Sequence, residues 1–505
     1  MVAADASAQT SAAQVSDADT SASKYSQLAR EVDTRRMRDS VPALAVAVVK
    51  HGRIVWDTAL GSANLSRQTP ATASTRFPIG SVTKSLTSSA LMVLARSNRV
   101  MLDERANRYL GDTPIITRVG DSSRVTVRAL ASHTSGIARH DWFTYLDEPA
   151  PPVDLTTRLR RYARVTRSPG ESYEYSNLNY MALARIIASA SSLTFEQYLA
   201  RAVLLPLGMR STTLGPPSGS ENAVALSYND ARQPVPLREV DQAGAGGYFS
   251  TAGDLAKFAR WHLGAVSERA GAPLRDADLA ELHAPRVPTA VGEWYAMGWR
   301  VNRATFTDEM IYHTGSNGSS AAIIMLIPSR ELAIVALANA VTDLPGWVAS
   351  RVVEIDGGVR RSVVSATRDS TADPFAPAPF RANANWLGTW TGRVEIDTGE
   401  LPLRIVIDDS SNVSVQLGSQ ALVRATGVRL ESGFLRASID AVVPPATALG
   451  RRYRVHLKLA RVADSLAGSF TAATSGAERA FTLSWFARAE RAPRTGTPRT
   501  GTPQH

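Results

Sequence analysis

Lysine occurs only five times in this chain, and two of the five stand three residues after a serine: Ser21-Ala-Ser-Lys24 and Ser81-Val-Thr-Lys84. On a helix, positions i and i+3 share a face, so a desolvated lysine amine can approach the serine hydroxyl, take its proton and leave a nucleophile. The tetrad alone is a weak signal, and its surroundings separate the two matches. Ser21 sits in a run of Ala, Ser, Asp and Thr. Ser81 follows Phe77-Pro-Ile-Gly80 and opens Ser81–Ala95, where apolar residues recur at helical spacing and Ser97-Asn98 suits the exit. Ser81 is therefore expected as a nucleophile at a helix N-terminus, with Lys84 one turn behind it.

Two further groups complete a catalytic set. Tyr175-Ser-Asn177 follows Pro169-Gly170 and precedes the helical stretch Tyr180–Ser189. Beside Ser81 and Lys84, Tyr175 is the expected proton relay, and Asn177 orients Lys84 and a substrate amide. His313-Thr314-Gly315-Ser316 leads into a strand-like segment, so these residues can lie along a sheet edge facing the nucleophile. Gly315 there leaves room for a substrate backbone, and His313 supplies a donor or partial positive charge. The backbone N–H groups of Ser81 and Ser316 are the expected oxyanion donors.

The elements that must position these residues read as a sheet, a helical layer and a return to the sheet. A helix is predicted over Tyr25–Arg38. Strands follow at Val41–Lys50 and Ile54–Gly61, joined at His51-Gly-Arg53. From about 105 to 290 the pattern is mostly helical, including Leu193–Leu204 and Ala252–Leu263. Strands return at Met297–Val301, Ala321–Pro328 and Leu332–Asn339, and a helix near Trp347–Ile355 closes the unit. The composition of 363–384 is that of an interdomain linker. Short alternating runs at Leu403–Ile407, Val413–Leu417, Tyr453–Ala460 and Phe481–Phe486 predict a second, antiparallel barrel or sandwich over 385–490. Residues 1–23 and 491–505 are expected as flexible tails, leaving 24–362 as the catalytic domain.

The three groups Ser81-Val-Thr-Lys84, Tyr175-Ser-Asn177 and His313-Thr-Gly315 resemble the motifs of the class C β-lactamase and D-Ala-D-Ala carboxypeptidase family, over roughly residues 25–360. Leu130-Ala-Ser-His-Thr-Ser-Gly-Ile137, Pro206-Leu-Gly-Met209 and Ala245-Gly-Gly-Tyr-Phe-Ser-Thr-Ala-Gly-Asp254 add to that likeness. The resemblance implies an α/β (α+β) fold, a mostly antiparallel sheet with helices on both faces joined to an all-helical region, with the site between them. It also implies acylation of Ser81 followed by attack of water. Class C β-lactamases typically carry lysine where this chain has His313, which resembles the peptidase and esterase members. His133-Thr-Ser-Gly136 duplicates the third group superficially, and the likeness makes that stretch structural. The segment opening Trp386-Leu-Gly-Thr-Trp-Thr-Gly resembles the lipocalin-like domains appended to some peptidase members.

Composition excludes other classes. The chain has no cysteine, which removes disulfides, thiol catalysis and thiolate metal sites. Its histidines show no metal-ligand spacing, and no cofactor is implied. The net charge of +10 is spread as scattered arginine without interleaved aromatics, a basic surface rather than a nucleic-acid reader. No stretch is apolar enough to span a bilayer. The expected partner is a small peptide, β-lactam or ester, and a periplasmic or secreted location is expected, with the oligomeric state open. The reading is a peptidase of the D-Ala-D-Ala carboxypeptidase or D-aminopeptidase kind. The alternatives are a β-lactamase or small-ester esterase, and a penicillin-binding or cell-wall-binding protein without turnover. Arg300 and Arg303 could hold a substrate carboxylate, but are read as ordinary surface arginines.

Overall fold

The computed structural model describes residues 24–142, 144–145, 153–216, 223–235, 237–238, 242–264, 272–361, 377–443, 452–473 and 481–493. The predicted tail over 1–23, the linker residues 363–376 and the end of the C-terminal tail lie outside them.

Three strands, Ala43–Lys50, Ala321–Ile327 and Leu332–Ala338, are nearly continuous apolar runs, as strands buried on both faces should be. They form the centre of a nine-stranded sheet. Ala43–Lys50 pairs antiparallel with Leu332–Ala338 and with Arg53–Asn64, and Ala321–Ile327 pairs with Leu332–Ala338 and with Met310–Gly315. The two-residue period splits Ala43–Lys50 between two cores. Leu44, Val46 and Val48 face the helix 24–38 and the helix Leu344–Ile355. Ala45, Ala47 and Val49 face the other core, on the side of the helix Ala252–His262. Alanine recurs on this second face, where small side chains let that helix approach.

A buried asparagine ties the sheet to the loop around Leu226. Asn339 accepts the Ala43 N–H through Oδ1 at 2.7 Å and donates from Nδ2 to the Leu226 carbonyl at 3.0 Å. Asn339→Ala orphans both backbone groups and is expected to cost about 1–3 kcal/mol in urea unfolding.

The 105–290 region is more mixed than its pattern predicts. It carries helices such as Asn177–Ser191 and Phe195–Leu199, but also short strands, of which Thr213–Leu214 and Tyr248–Ser250 make a small sheet with Phe77–Pro78. The strand predicted at Met297–Val301 begins later, at Arg300–Asn302, because Ala296–Trp299 is a turn around Gly298.

The C-terminal domain is one curled antiparallel sheet, a half-barrel. From Gly388–Ile396 it runs outward on one side through Gly399–Ile407 and Val413–Leu417, and on the other through Phe481–Arg491, Ser465–Ala473 and Arg452–Val462. Ala378–Pro379 pairs with Thr426–Glu431, so the segment read as linker already contributes an edge strand. The final strand extends to Arg491, one residue into the predicted tail.

Candidate active site

The Ser81 segment is built by close backbone approach. Gly80 has φ +48° and starts a 3-10 turn, Gly80–Val82, that runs into the helix Thr83–Arg96. Ser81 thus stands on a tight turn at the helix entrance. A Cβ on Gly80 would lie 2.6 Å from the Ser316 nitrogen, and one on Gly315 would lie 2.0 Å from the Ile79 oxygen and 3.1 Å from the Ser81 nitrogen. From sequence alone Gly315 is expected to clear space for a substrate; the structure uses that space for the 79–81 backbone. The same approach brings the Ser81 and Ser316 backbones together beside the cleft, the closeness that a pair of oxyanion donors requires.

The structure brings Ser81, Lys84, Tyr175 and Asn177 together. Ser81 Oγ lies 3.0 Å from Lys84 Nζ and 2.6 Å from the Tyr175 hydroxyl. Lys84 also donates to Asn177 Oδ1 and to the Ala245 carbonyl, both at 2.7 Å. Those two acceptors hold two N–H bonds in place, so the third direction of the neutral amine, its lone pair, is aimed at the serine hydroxyl. Burial lowers the Lys84 pKa from 10.5 to about 7, with the nearby Asp141 opposing that fall and Arg139 adding to it. Burial acts on Tyr175 in the other direction and raises its hydroxyl above the ordinary phenol range. The pair is therefore divided: Lys84 is able to accept a proton near neutral pH, while Tyr175 keeps its own and donates it.

His313 has both ring nitrogens engaged. Nδ1 stands 2.7 Å from the Thr314 carbonyl, which can only accept, so Nδ1 carries the proton and Nε2 accepts from Tyr295 at 3.0 Å. Burial first, then Lys84 and Arg300, pushes its pKa well below 6.5. The Nδ1 donor is directed at the Thr314 carbonyl rather than into the cleft, and burial favours the neutral ring. Thr314 and Ser316 expose their side chains on the cleft wall. His133 is buried among Tyr173, Tyr175, Tyr180 and Tyr295, and its Nδ1 accepts the Ser176 N–H, so it packs the tyrosine loop from behind.

Three contributors carry no signal in the sequence, and a fourth, Arg300, reads there only as an ordinary surface arginine. Asp141 accepts from Asn177 Nδ2 at 2.7 Å and pairs with Arg139, also at 2.7 Å. Gln242 lies 3.3 Å from the same Asn177 nitrogen. The Ala245 carbonyl, from a stretch singled out only for its family likeness, fixes Lys84. Arg300 lines the cleft, held by Glu293 at 2.5 Å and the Tyr173 hydroxyl at 3.2 Å, whereas Arg303 pairs with Glu309 at an exposed position. The cleft they surround has a volume of about 810 Å³. Among the described residues there is no cluster of three or more side chains able to hold a metal ion, and no helix is long and apolar enough to cross a membrane.

A serine between a buried lysine and a buried tyrosine, at the seam of an antiparallel sheet and a helical layer, defines the class of β-lactamase and penicillin-binding-like serine hydrolases. The family described as Beta-lactamase matches residues 28–353, and the chain belongs to that family. Unguisins hydrolase from Aspergillus campestris is 29% identical over 320 residues, covering 59% of this chain and 58% of that protein. Protein flp from Staphylococcus aureus is 24% identical over 353 residues, covering 66% and 67%. The fold is shared with an octameric penicillin-binding protein homologue from Pyrococcus abyssi, at a TM-score of 0.58 and 20% identity over 91% of this chain and 99% of that one. It is also shared with a class C β-lactamase mutant, at 0.55 and 20% over 65% and 97%.

Proposed function

We propose that this protein hydrolyses amide or ester bonds of small substrates through an acyl-enzyme on Ser81, as a peptidase of the D-Ala-D-Ala carboxypeptidase or D-aminopeptidase kind. The observation that carries this reading is the position of Ser81 Oγ between a lysine of lowered pKa and a protonated tyrosine. In the forward step Ser81 Oγ bonds to the carbonyl carbon and its proton passes to Lys84. Tyr175 then protonates the leaving amine or alkoxide, and water releases the acyl group by the reverse proton path.

The peptide preference rests on the sheet edge. The ladder from Arg300–Asn302 ends at Tyr312, so 313–315 have no strand partner on that side among the described residues, while the other side remains paired to Ala322–Ile324. An extended substrate can hydrogen-bond along that edge as an added strand. A neutral His313 in place of a fixed amine favours peptides and esters over β-lactams, and the relative named as a hydrolase of unguisins supports hydrolysis as such. A periplasmic or secreted location belongs to the same proposal and is tested by fractionating the native host.

The experiment is intact-protein mass spectrometry with a fluorophosphonate and a labelled penicillin, followed by turnover of a D-Ala-D-Ala peptide, an amino-terminal D-residue amide, a p-nitrophenyl ester and a chromogenic cephalosporin. One adduct per chain, absent in Ser81→Ala, with turnover of a D-peptide, is expected. Turnover of the ester or cephalosporin alone would replace the peptidase reading with the esterase or β-lactamase one. A stable penicillin adduct with no product from any substrate would favour a binding protein.

A further inference from the structure

We propose that the C-terminal half-barrel is a working part of this active site, with Lys458 as its positioning residue. The inference rests on the reading of Ser81 as nucleophile and goes beyond it, because two separate lines of contact run from the half-barrel to the two proton-handling groups.

The first line starts at the strand Phe481–Arg491. Its first residues continue the ladder into the catalytic domain: Phe481 pairs with Trp142 and Thr482 with Asp141. Ser484 donates its hydroxyl to the Arg139 carbonyl, and Thr482 lies on the cleft wall. Asp141–Trp142 is thereby held as an extra strand of the half-barrel sheet, with Arg139 tied two residues ahead of it. Asp141 on that segment anchors Asn177, and Asn177 anchors Lys84.

The second line starts at Lys458 in the strand Arg452–Val462. Lys458 Nζ bonds the carboxylate of Glu174, which also takes Arg167 from its own domain. Glu174 immediately precedes Tyr175, and its own backbone N–H is tied to the His133 carbonyl at 2.9 Å. The side chain of Lys458 is 12% exposed and that of Arg167 5%, so Glu174 is shared by two cations away from bulk water. A carboxylate fixed from both sides leaves the adjacent tyrosine little freedom to leave Ser81. Misplacement of a catalytic group by about 1 Å can cost on the order of 100-fold in rate.

A domain that merely adheres would tolerate loss of any one interfacial pair equally. The interface offers an internal comparison, because Arg118 pairs with Glu395 at 2.8 Å elsewhere on the same boundary and does not touch the 173–177 loop. In the full chain, Lys458→Met is expected to lower kcat and the rate of fluorophosphonate labelling by about 10-fold with KM within about twofold. Glu174→Gln should do the same from the catalytic side, Lys458→Arg should recover most of the loss, and Arg118→Met should match wild type. Equal kcat for Lys458→Met, Glu174→Gln and Arg118→Met, with melting temperatures showing all three folded, would overturn the inference while leaving the Ser81 reading intact. If Lys458→Met does not fold, Glu174→Gln and Lys458→Arg decide by the same kcat comparison. A wild type that is never labelled at Ser81 would overturn the underlying reading and this inference with it.

Discussion

Lys84→Met is expected to lower the acylation rate by roughly 10³–10⁴-fold and to erase the pH dependence of what remains. In the wild type the rate should climb with pH and level off above about 7, because only the neutral amine has a lone pair for the Ser81 proton and burial brings the lysine to about 7. Stopped-flow acylation of both proteins across pH 5–9 reads the two effects together. The same group should be visible in stability. Below about pH 7 Lys84 is charged in both folded and unfolded chains, so the full cost of burying the charge is present. As pH rises from about 7 towards 10.5 the folded lysine is neutral while the unfolded one is still protonated, and wild-type stability therefore rises with pH. Lys84→Met lacks this term. The stability of the wild type relative to the variant should improve by roughly 2–3 kcal/mol between pH 6 and pH 9, at about 1.4 kcal/mol per pKa unit. A relative stability that stays flat would mean that the buried amine is not neutral near pH 7 and that the base must be sought elsewhere.

What made this site readable is local spacing. Ser81 and Lys84 are one turn apart on the same chain segment, and the lysine's rarity made the pair stand out. The central strands were readable for a related reason, since burial on both faces turns Ala43–Lys50 and Leu332–Ala338 into unbroken apolar runs. The short strands Phe77–Pro78 and Thr213–Leu214 were not, because two residues carry no period. Asp141 went unseen and Arg300 read as a surface arginine for another reason: each is a single charged residue whose meaning comes from a partner distant in sequence, Asn177 for the one and Tyr173 for the other. The Ala245 carbonyl has no side-chain signature at all. The grip of the half-barrel on the catalytic loop depends on Lys458 and Glu174, 284 positions apart, and no spacing rule reaches that far.

Gly315→Ala is the substitution that separates a packing role from a substrate-clearance role. Were the glycine there to admit a substrate, one methyl group would raise KM and leave the empty enzyme unchanged. The geometry says otherwise, because the new Cβ would meet the Ile79 oxygen at 2.0 Å and the Ser81 nitrogen at 3.1 Å, and both are backbone atoms with no rotamer to change. The strand Met310–Gly315 and the 79–81 turn must then move apart. Overpacking of this kind costs about 1–3 kcal/mol, expected as a shift in the urea midpoint of the free protein. The movement also parts the Ser81 and Ser316 amides, so kcat should fall by about 10²–10³-fold, the scale of losing one oxyanion donor, with KM changed far less. Gly80→Ala attacks the same contact from the other side, at 2.6 Å from the Ser316 nitrogen and from a backbone at φ +48° that alanine resists. The two variants should therefore share one signature, and a Gly315→Ala enzyme with native stability and a raised KM alone would return that glycine to the substrate.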